Sequence, residues 1–193
     1  HPQFVPRRDD HFDWTHPVDG SDPATEWSGV HSVEDSPHVV DPPNGWVMNT
    51  NNWPYSAAGP YSPKRDSFPR YMDTHGENPR GRHATRVLDG QKQFTLTGLR
   101  DVAFDSYLPA FAALIPKLVS AYDEAPAADP LKAKLAEPIS ALRAWDHRWS
   151  AASVPTSLAV YWGQQLWQAA PAETQRSGML IYDYIATRTS PAQ

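Results

Sequence analysis

The sequence predicts an α+β fold, with a loop-rich first half that carries one short strand and a mainly helical second half. Three observations predict it. Residues 1–80 hold 12 of the 20 prolines, a density that forbids long helices. The same half is rich in aromatics (Phe4, Phe12, Trp14, Trp27, Trp46, Trp53, Tyr55, Tyr61, Phe68 and Tyr71), a load that a disordered linker lacks. From about residue 81 onward, apolar residues recur at the three-to-four spacing of helices.

The elements follow in order. Pro and Gly clusters at 18–23, 41–45, 58–60 and 62–63 mark turns. Between them, Gly45-Trp46-Val47-Met48-Asn49-Thr50 is the one clear strand candidate. Gly81 to Leu88 is a short helix that ends near Asp89-Gly90. Thr97 is placed to cap a helix through Phe104. Leu108, Phe111, Leu114, Ile115, Leu118, Val119 and Tyr122 set a helix over about 107–122, with Pro109 in its first turn and Pro116 predicting a kink. Asp129-Pro130 is an N-cap followed by proline at the first helical position. It opens a helix with Leu131, Leu135, Ile139 and Leu142 on one face and a second kink at Pro138. Pro155 opens a helix with Leu158, Tyr161, Trp162, Gln165 and Leu166 near one face, and the last helix spans about 172–187. Two segments result, 1–90 and 91–193, both belonging to one larger domain.

Composition excludes several function classes. The chain has 193 residues, 40% of them hydrophobic, enough for a core of one domain or somewhat more. It has no cysteine, which removes disulfide scaffolds, thiol catalysis and Cys-based metal sites. The net charge of −5 argues against a nucleic-acid binder. The longest apolar run, Ala110 to Ile115, falls far short of the ~20 residues of a membrane span. The start at His1 shows neither a methionine nor a signal peptide, so the expectation is a processed chain or a piece of a longer one.

The chemistry-bearing residues are few. His11, His16, His31 and His38 lie among Asp9, Asp10, Asp13, Asp19, Asp22, Glu34 and Asp41. Imidazole and carboxylate suit zinc or iron, and the acidic loops suit calcium. No ligand spacing such as HExxH is present, so solvated loop histidines are the plainer reading. GxSxG, SxxK and P-loop motifs are absent. The run Gly45 to Pro54 places Asn49, Asn51 and Asn52 at the end of the predicted strand. Asn49 and Asn51 then point to one face and Asn52 to the other. A neutral amide held on a rigid strand end can stabilise a developing oxyanion. Asparagines before a turn equally serve by bonding their own backbone, and spacing leaves both uses open.

The run His38-Val39-Val40-Asp41-Pro42-Pro43-Asn44-Gly45-Trp46-Val47-Met48-Asn49-Thr50-Asn51-Asn52-Trp53-Pro54 resembles the middle of the β-chain of the penicillin amidase family. These are N-terminal nucleophile hydrolases such as penicillin and acyl-homoserine-lactone acylases. Collinear support comes from Val5-Pro6-Arg7-Arg8, Glu26-Trp27-Ser28-Gly29, Phe68-Pro69-Arg70-Tyr71, Arg82 to Leu88 and Ala144 to Trp149. The resemblance implies a fragment of an αββα sandwich and an amidohydrolase of N-acyl amides. It matches Asn51 to the side-chain donor of the oxyanion hole. It matches Arg86, or Arg82 one turn earlier, to an arginine that orients the asparagine and the nucleophile. Trp53 and Tyr55 are candidates for the substrate pocket, with packing roles open to both and to Trp46. The serine nucleophile at the β-chain's N-terminus would lie upstream of His1, so the fragment alone would be inactive. The partners implied are the N-acyl amide substrate, the rest of the β-chain and the α-chain of the same precursor. Neither a metal nor another cofactor is expected, except that calcium stays open for the full-length protein. A periplasmic or secreted location is expected over a cytoplasmic one. The rival reading is a non-catalytic aromatic-rich module that binds a glycan or a protein partner through Trp14, Trp27 and Trp53.

Overall fold

The computed structural model describes residues 4–170, 174 and 179–189; His1 falls outside that range. The chain divides into two compact units, His1–Val102 and Ala103–Gln193.

The first unit is built of loops and single turns, as its prolines require. Five one-turn 3₁₀ helices occur among its described residues, at Pro23–Thr25, Pro54–Ser56, Gly59–Tyr61, Arg65–Ser67 and Arg70–Met72. Proline opens the first two and sits second in the third. Residues 5–7 and 28–31 pair as extended antiparallel segments: Arg7 N–H donates to Gly29 O at 2.9 Å and His31 N–H to Val5 O at 2.9 Å. The pairing amounts to one isolated bridge, Pro6 with Val30.

The predicted strand from Gly45 to Thr50 is an extended segment without a ladder. Its alternation is that of a strand: Trp46, Met48 and Asn52 are buried, whereas Val47, Asn49 and Asn51 are exposed. Among the described residues no neighbouring strand lies along it. Met48 N–H instead donates to Ala57 O at 2.8 Å, in the turn that Pro54 initiates. The pleat and the inside-outside pattern are local properties of the sequence, and a ladder needs a second extended segment in register. The sheet content that the α+β expectation requires is therefore not seen in these residues.

Trp46 packs against the Gly59 turn. Gly59 has φ +54°, and a Cβ there would stand 3.3 Å from the Trp46 ring. Beside it Ala58 is fully buried, and its carbonyl accepts from Asn44 Nδ2 at 3.0 Å. The unit ends with helices α1 (Pro79–Leu88) and α2 (Leu96–Ala103), α2 running one residue past the boundary. Helix α1 starts two residues before its predicted start, because Asn78 caps it and Pro79 takes the first helical position. Helix α2 is capped by Thr95 rather than the expected Thr97. Thr95 Oγ1 accepts from Gly98 N–H at 3.0 Å.

The second unit is helical: α3 (Pro109–Glu124), α4 (Pro130–Arg143), α5 (Val154–Ala169) and α6 (Ile181–Arg188). Helix α3 packs on α4 and on α6, and α4 on α5. Pro116 and Pro138 sit inside α3 and α4, where each lacks the N–H that would bond the carbonyl four residues back. Ser153 caps α5 by accepting from Thr156 N–H at 3.3 Å. The core is Ile115, Leu142, Trp145 and Ala159, flanked by Leu108, Phe111, Leu118, Leu158 and Trp162. The apolar faces are narrower than the spacing predicted. Leu131, Leu135 and Tyr161 are exposed, whereas Ile139 and Leu142 of the same α4 stripe are buried. Leu131 sits in the first turn of α4, where a helix end has fewer neighbours to cover it. Of the last predicted helix, residues 172–173 and 175–178 lie outside the described residues. No described helix is long and apolar enough to cross a membrane.

Candidate functional site

Three asparagines follow the extended segment in the first unit, and they do different work. Asn49 Oδ1 accepts from the Asn51 backbone N–H at 3.0 Å, closing a local turn. Asn52 Oδ1 accepts from the Thr50 N–H and hydroxyl, both at 3.1 Å. Between them Asn51 adopts left-handed backbone, φ 59°. Asparagine tolerates that region better than most residues, and such a conformation persists where its surroundings over-determine it.

The side chain of Asn51 is exposed, and its oxygen is engaged: Arg80 Nη1 donates to Asn51 Oδ1 at 3.3 Å. A guanidinium can only donate, so the amide oxygen faces the arginine and the amide NH2 faces away from it. The side chain is thereby set up as a neutral, outward-facing N–H donor beside a fixed positive charge. The buried Asn52 differs, because both of its amide protons are spent on Ser56 Oγ at 3.0 Å and Glu77 Oε1 at 2.9 Å. Of the two neighbours, only Asn51 has protons to offer a substrate.

The arginine that the structure brings to Asn51 is Arg80, in the first turn of α1. Arg86, the residue matched from sequence, lies exposed six residues further along that helix, and Arg82 is exposed near its start. Six residues of helix advance ~9 Å and turn by about 240°, so Arg80 and Arg86 leave α1 in different directions. The sequence does not single out the Arg80 contact when the helix start is placed at Gly81. The signal that finds it is Asn78-Pro79, an N-cap followed by proline, which puts Arg80 at the second helical position.

Trp53 and Tyr55 follow directly. Trp53 N–H donates to Gly76 O at 3.0 Å, and its ring meets Tyr55 edge-on at 5.7 Å. Tyr55 stacks toward Phe68 at 6.1 Å and carries the Arg65 guanidinium over its face at 5.5 Å. Burial pushes the Tyr55 phenol above its usual range, outweighing the pull of Arg65 in the other direction. A cavity of about 340 Å³ opens beside Trp53, with Phe12, Trp14, Tyr71, Arg65 and Arg70 among its walls. Tyr55 is not among the residues lining it. Trp53 therefore faces space that a small molecule could fill, and Tyr55 braces it.

The tryptophans of the rival binding-module reading are differently disposed. Trp27 is 62% exposed. Trp14 is covered by the Arg8 guanidinium at 5.0 Å, and its Nε1 donates to Asp9 O at 2.7 Å. Trp53 is braced as above, with its Nε1 buried. Two of the four loop histidines are tied to nearby acids, His11 to Asp9 at 2.7 Å and His16 to Asp13 at 3.1 Å, while His31 meets the Tyr71 hydroxyl and His38 the Ser36 carbonyl, both at 2.8 Å. Hydrogen bonds from His11 hold Asp9, and those from Thr15 and His16 hold Asp13, below the usual carboxylate range. Among the described residues no three His, Asp or Glu side chains gather as a metal-binding group.

The chain was compared with known protein families. Residues 1–190 match the family model described as penicillin amidase.

Proposed function

The chain belongs to the penicillin amidase family and is thus part of an acylase-like hydrolase; from that premise we propose that Asn51 is its oxyanion donor. In this reading the whole protein cleaves a linear N-acyl amide. A serine outside these residues, at the N-terminus of the mature β-chain, attacks the amide carbonyl through its hydroxyl oxygen. Its own α-amino group takes the hydroxyl proton and passes it to the departing amine. Water then releases the acyl group from the ester. In each step the carbonyl oxygen becomes an anion, and a preorganised N–H donor lowers the barrier most where that charge develops.

The observation that carries the proposal is the state of Asn51: its oxygen occupied by Arg80, its backbone held left-handed, its NH2 unspent. Arg80 supplies orientation and positive potential beside the donor, which is the work the family resemblance assigns to an arginine. Trp53 faces the substrate side, braced by Tyr55. The substrate class is an acylated amine, such as a β-lactam carrying an acyl side chain or an N-acyl homoserine lactone, met in the periplasm or outside the cell. The remaining β-chain and the α-chain of the precursor complete the pocket.

The test is Asn51→Ala in the full-length protein, with precursor processing verified by the sizes of the mature chains. Turnover of an N-acyl amide should fall ~10²–10³-fold, the usual cost of one oxyanion donor, with KM little changed. Unchanged turnover in a correctly processed variant overturns the assignment.

A further inference from the structure

The loop that carries Asn51 is held by a half-buried side-chain network, with Asn52 buried within it, and that network converges on Glu77. Asn52 uses both lone pairs of its oxygen on Thr50 and both amide protons on Ser56 and Glu77, so its hydrogen-bonding capacity is full. Glu77 Oε1 accepts a second bond, from the Asn78 N–H at 2.8 Å. Asn78 then spans the same gap from the helix side. Its Oδ1 accepts from Gly81 N–H at 2.9 Å and its Nδ2 donates to Thr50 O at 3.2 Å. Residues 50 and 52, on either side of Asn51, are thus both tied to residues 77 and 78, which open the helix that carries Arg80.

The packing is tight enough to exclude a methyl group. A Cβ at Gly81 would lie 2.2 Å from Glu77 Oε1 and 2.5 Å from Asn52 Nδ2. The acceptor at the centre is a carboxylate, and hydrogen bonds to an ionised acceptor are roughly twice as strong as neutral ones. The backbone between the two ties is the strained one, with Asn51 at φ 59°.

We propose that Glu77 is a positioning residue: acting through Asn52, it fixes the left-handed backbone of Asn51 and so the aim of the Asn51 amide. Its part is carried by the bond to Asn52. The catalytic part of this inference rests on Asn51 being the oxyanion donor, whereas its structural part does not.

The experiment uses the full-length processed enzyme and four variants: Glu77→Ala, Glu77→Gln, Asn51→Ala and the double variant Glu77→Ala with Asn51→Ala. Rates are taken per titrated active site, and the crystal structure of Glu77→Ala is determined. A displacement of about 1 Å in a catalytic group can cost ~10²-fold. Glu77→Ala should accordingly lower kcat on the order of 10–10²-fold with KM within about threefold. Glu77→Gln keeps an oxygen for Asn52 and Asn78 and should recover most of the rate. In the Asn51→Ala background, Glu77→Ala should cost nothing further. Its crystal structure should show Asn51 out of the left-handed region. An Asn51 backbone unchanged in that structure overturns the proposal, as does the same fractional loss of kcat with and without Asn51. Should Glu77→Ala fail to fold, Glu77→Asp, which withdraws the carboxylate by one methylene, is read by the same criteria. If Asn51→Ala alone is silent, the oxyanion reading falls, and the crystal structure still decides whether Glu77 sets the loop.

Discussion

Replacing Gly81 by alanine tests the clamp through stability, with two opposed effects of known size. Alanine is a better helix residue than glycine by ~0.8–1 kcal/mol, so at an unencumbered helical position the change stabilises. At position 81 the new methyl would stand 2.2 Å from Glu77 Oε1 and 2.5 Å from Asn52 Nδ2, inside any permitted contact. Glu77 is the flexible partner, and its retreat would break the bond from Asn52. A hydrogen bond to a charged group contributes about 1.5–3 kcal/mol. Subtracting the helix gain leaves a net loss of about 0.5–2 kcal/mol. The assay is the denaturant midpoint of the full-length processed protein, with Gly20→Ala as a control, because a methyl there meets nothing within 4 Å. Turnover is measured on the same samples, and Gly81→Ala should lower it as well. A Gly81→Ala protein more stable than wild type by about 1 kcal/mol, with full activity, would refute the reasoning. The methyl would then have found room that the Asn52–Glu77 pair leaves none for.

Two further outcomes are expected. If the proposed role of Asn51 holds, Arg80→Ala should reduce kcat by about tenfold or more, in line with losing a charge-assisted bond to the Asn51 amide, whereas Arg86→Ala should cost less; steady-state kinetics on processed protein compares them, and the reverse order assigns the orienting role to Arg86. Tyr55→Phe should flatten the alkaline limb of the stability profile. The folded-state pKa of Tyr55 is raised by burial, so the wild-type protein keeps its full stability below the unfolded phenol's value of about 10 and loses part of it as pH rises through the higher folded value. The phenylalanine variant lacks that loss, and identical alkaline limbs in the two proteins would contradict the burial of the phenol.

What the sequence shows of this site depends on the range of the interaction. Alternation of burial along residues 46–52 is written in the residues themselves, because a pleated backbone sends neighbouring side chains to opposite faces whether or not a partner strand is present. The ladder is a non-local property, and the prediction of a strand went beyond what alternation supports. The asparagines show the same division. Asn49 and Asn52 make the short-range backbone bonds that asparagine makes before turns, and only the remaining Asn51 turns its amide outward. The turn-forming reading therefore describes Asn49 and Asn52, and the outward amide of Asn51 is what the proposed donor role rests on.

The arginine that meets Asn51 was the part least legible. Arg80, Arg82 and Arg86 all lie on one helix, and residue type does not separate them; the choice depends on which end of α1 is tied to the asparagine loop. That tie is made by Asn78 and Glu77 across 25 or more residues, with no spacing rule behind it. Its one local trace is the cap itself. An asparagine that caps α1 through Oδ1 still has two amide protons to spend, and Asn78 spends one on Thr50 O. The residue that starts the helix is thus the residue that fastens the loop, and whatever stands in the first turn, here Arg80, is carried to Asn51 by the same contact. Helix initiation and site assembly are one event at this position. A change that frays the first turn of α1 should therefore disturb the Asn51 amide before it disturbs Trp53, which is fastened separately to Gly76.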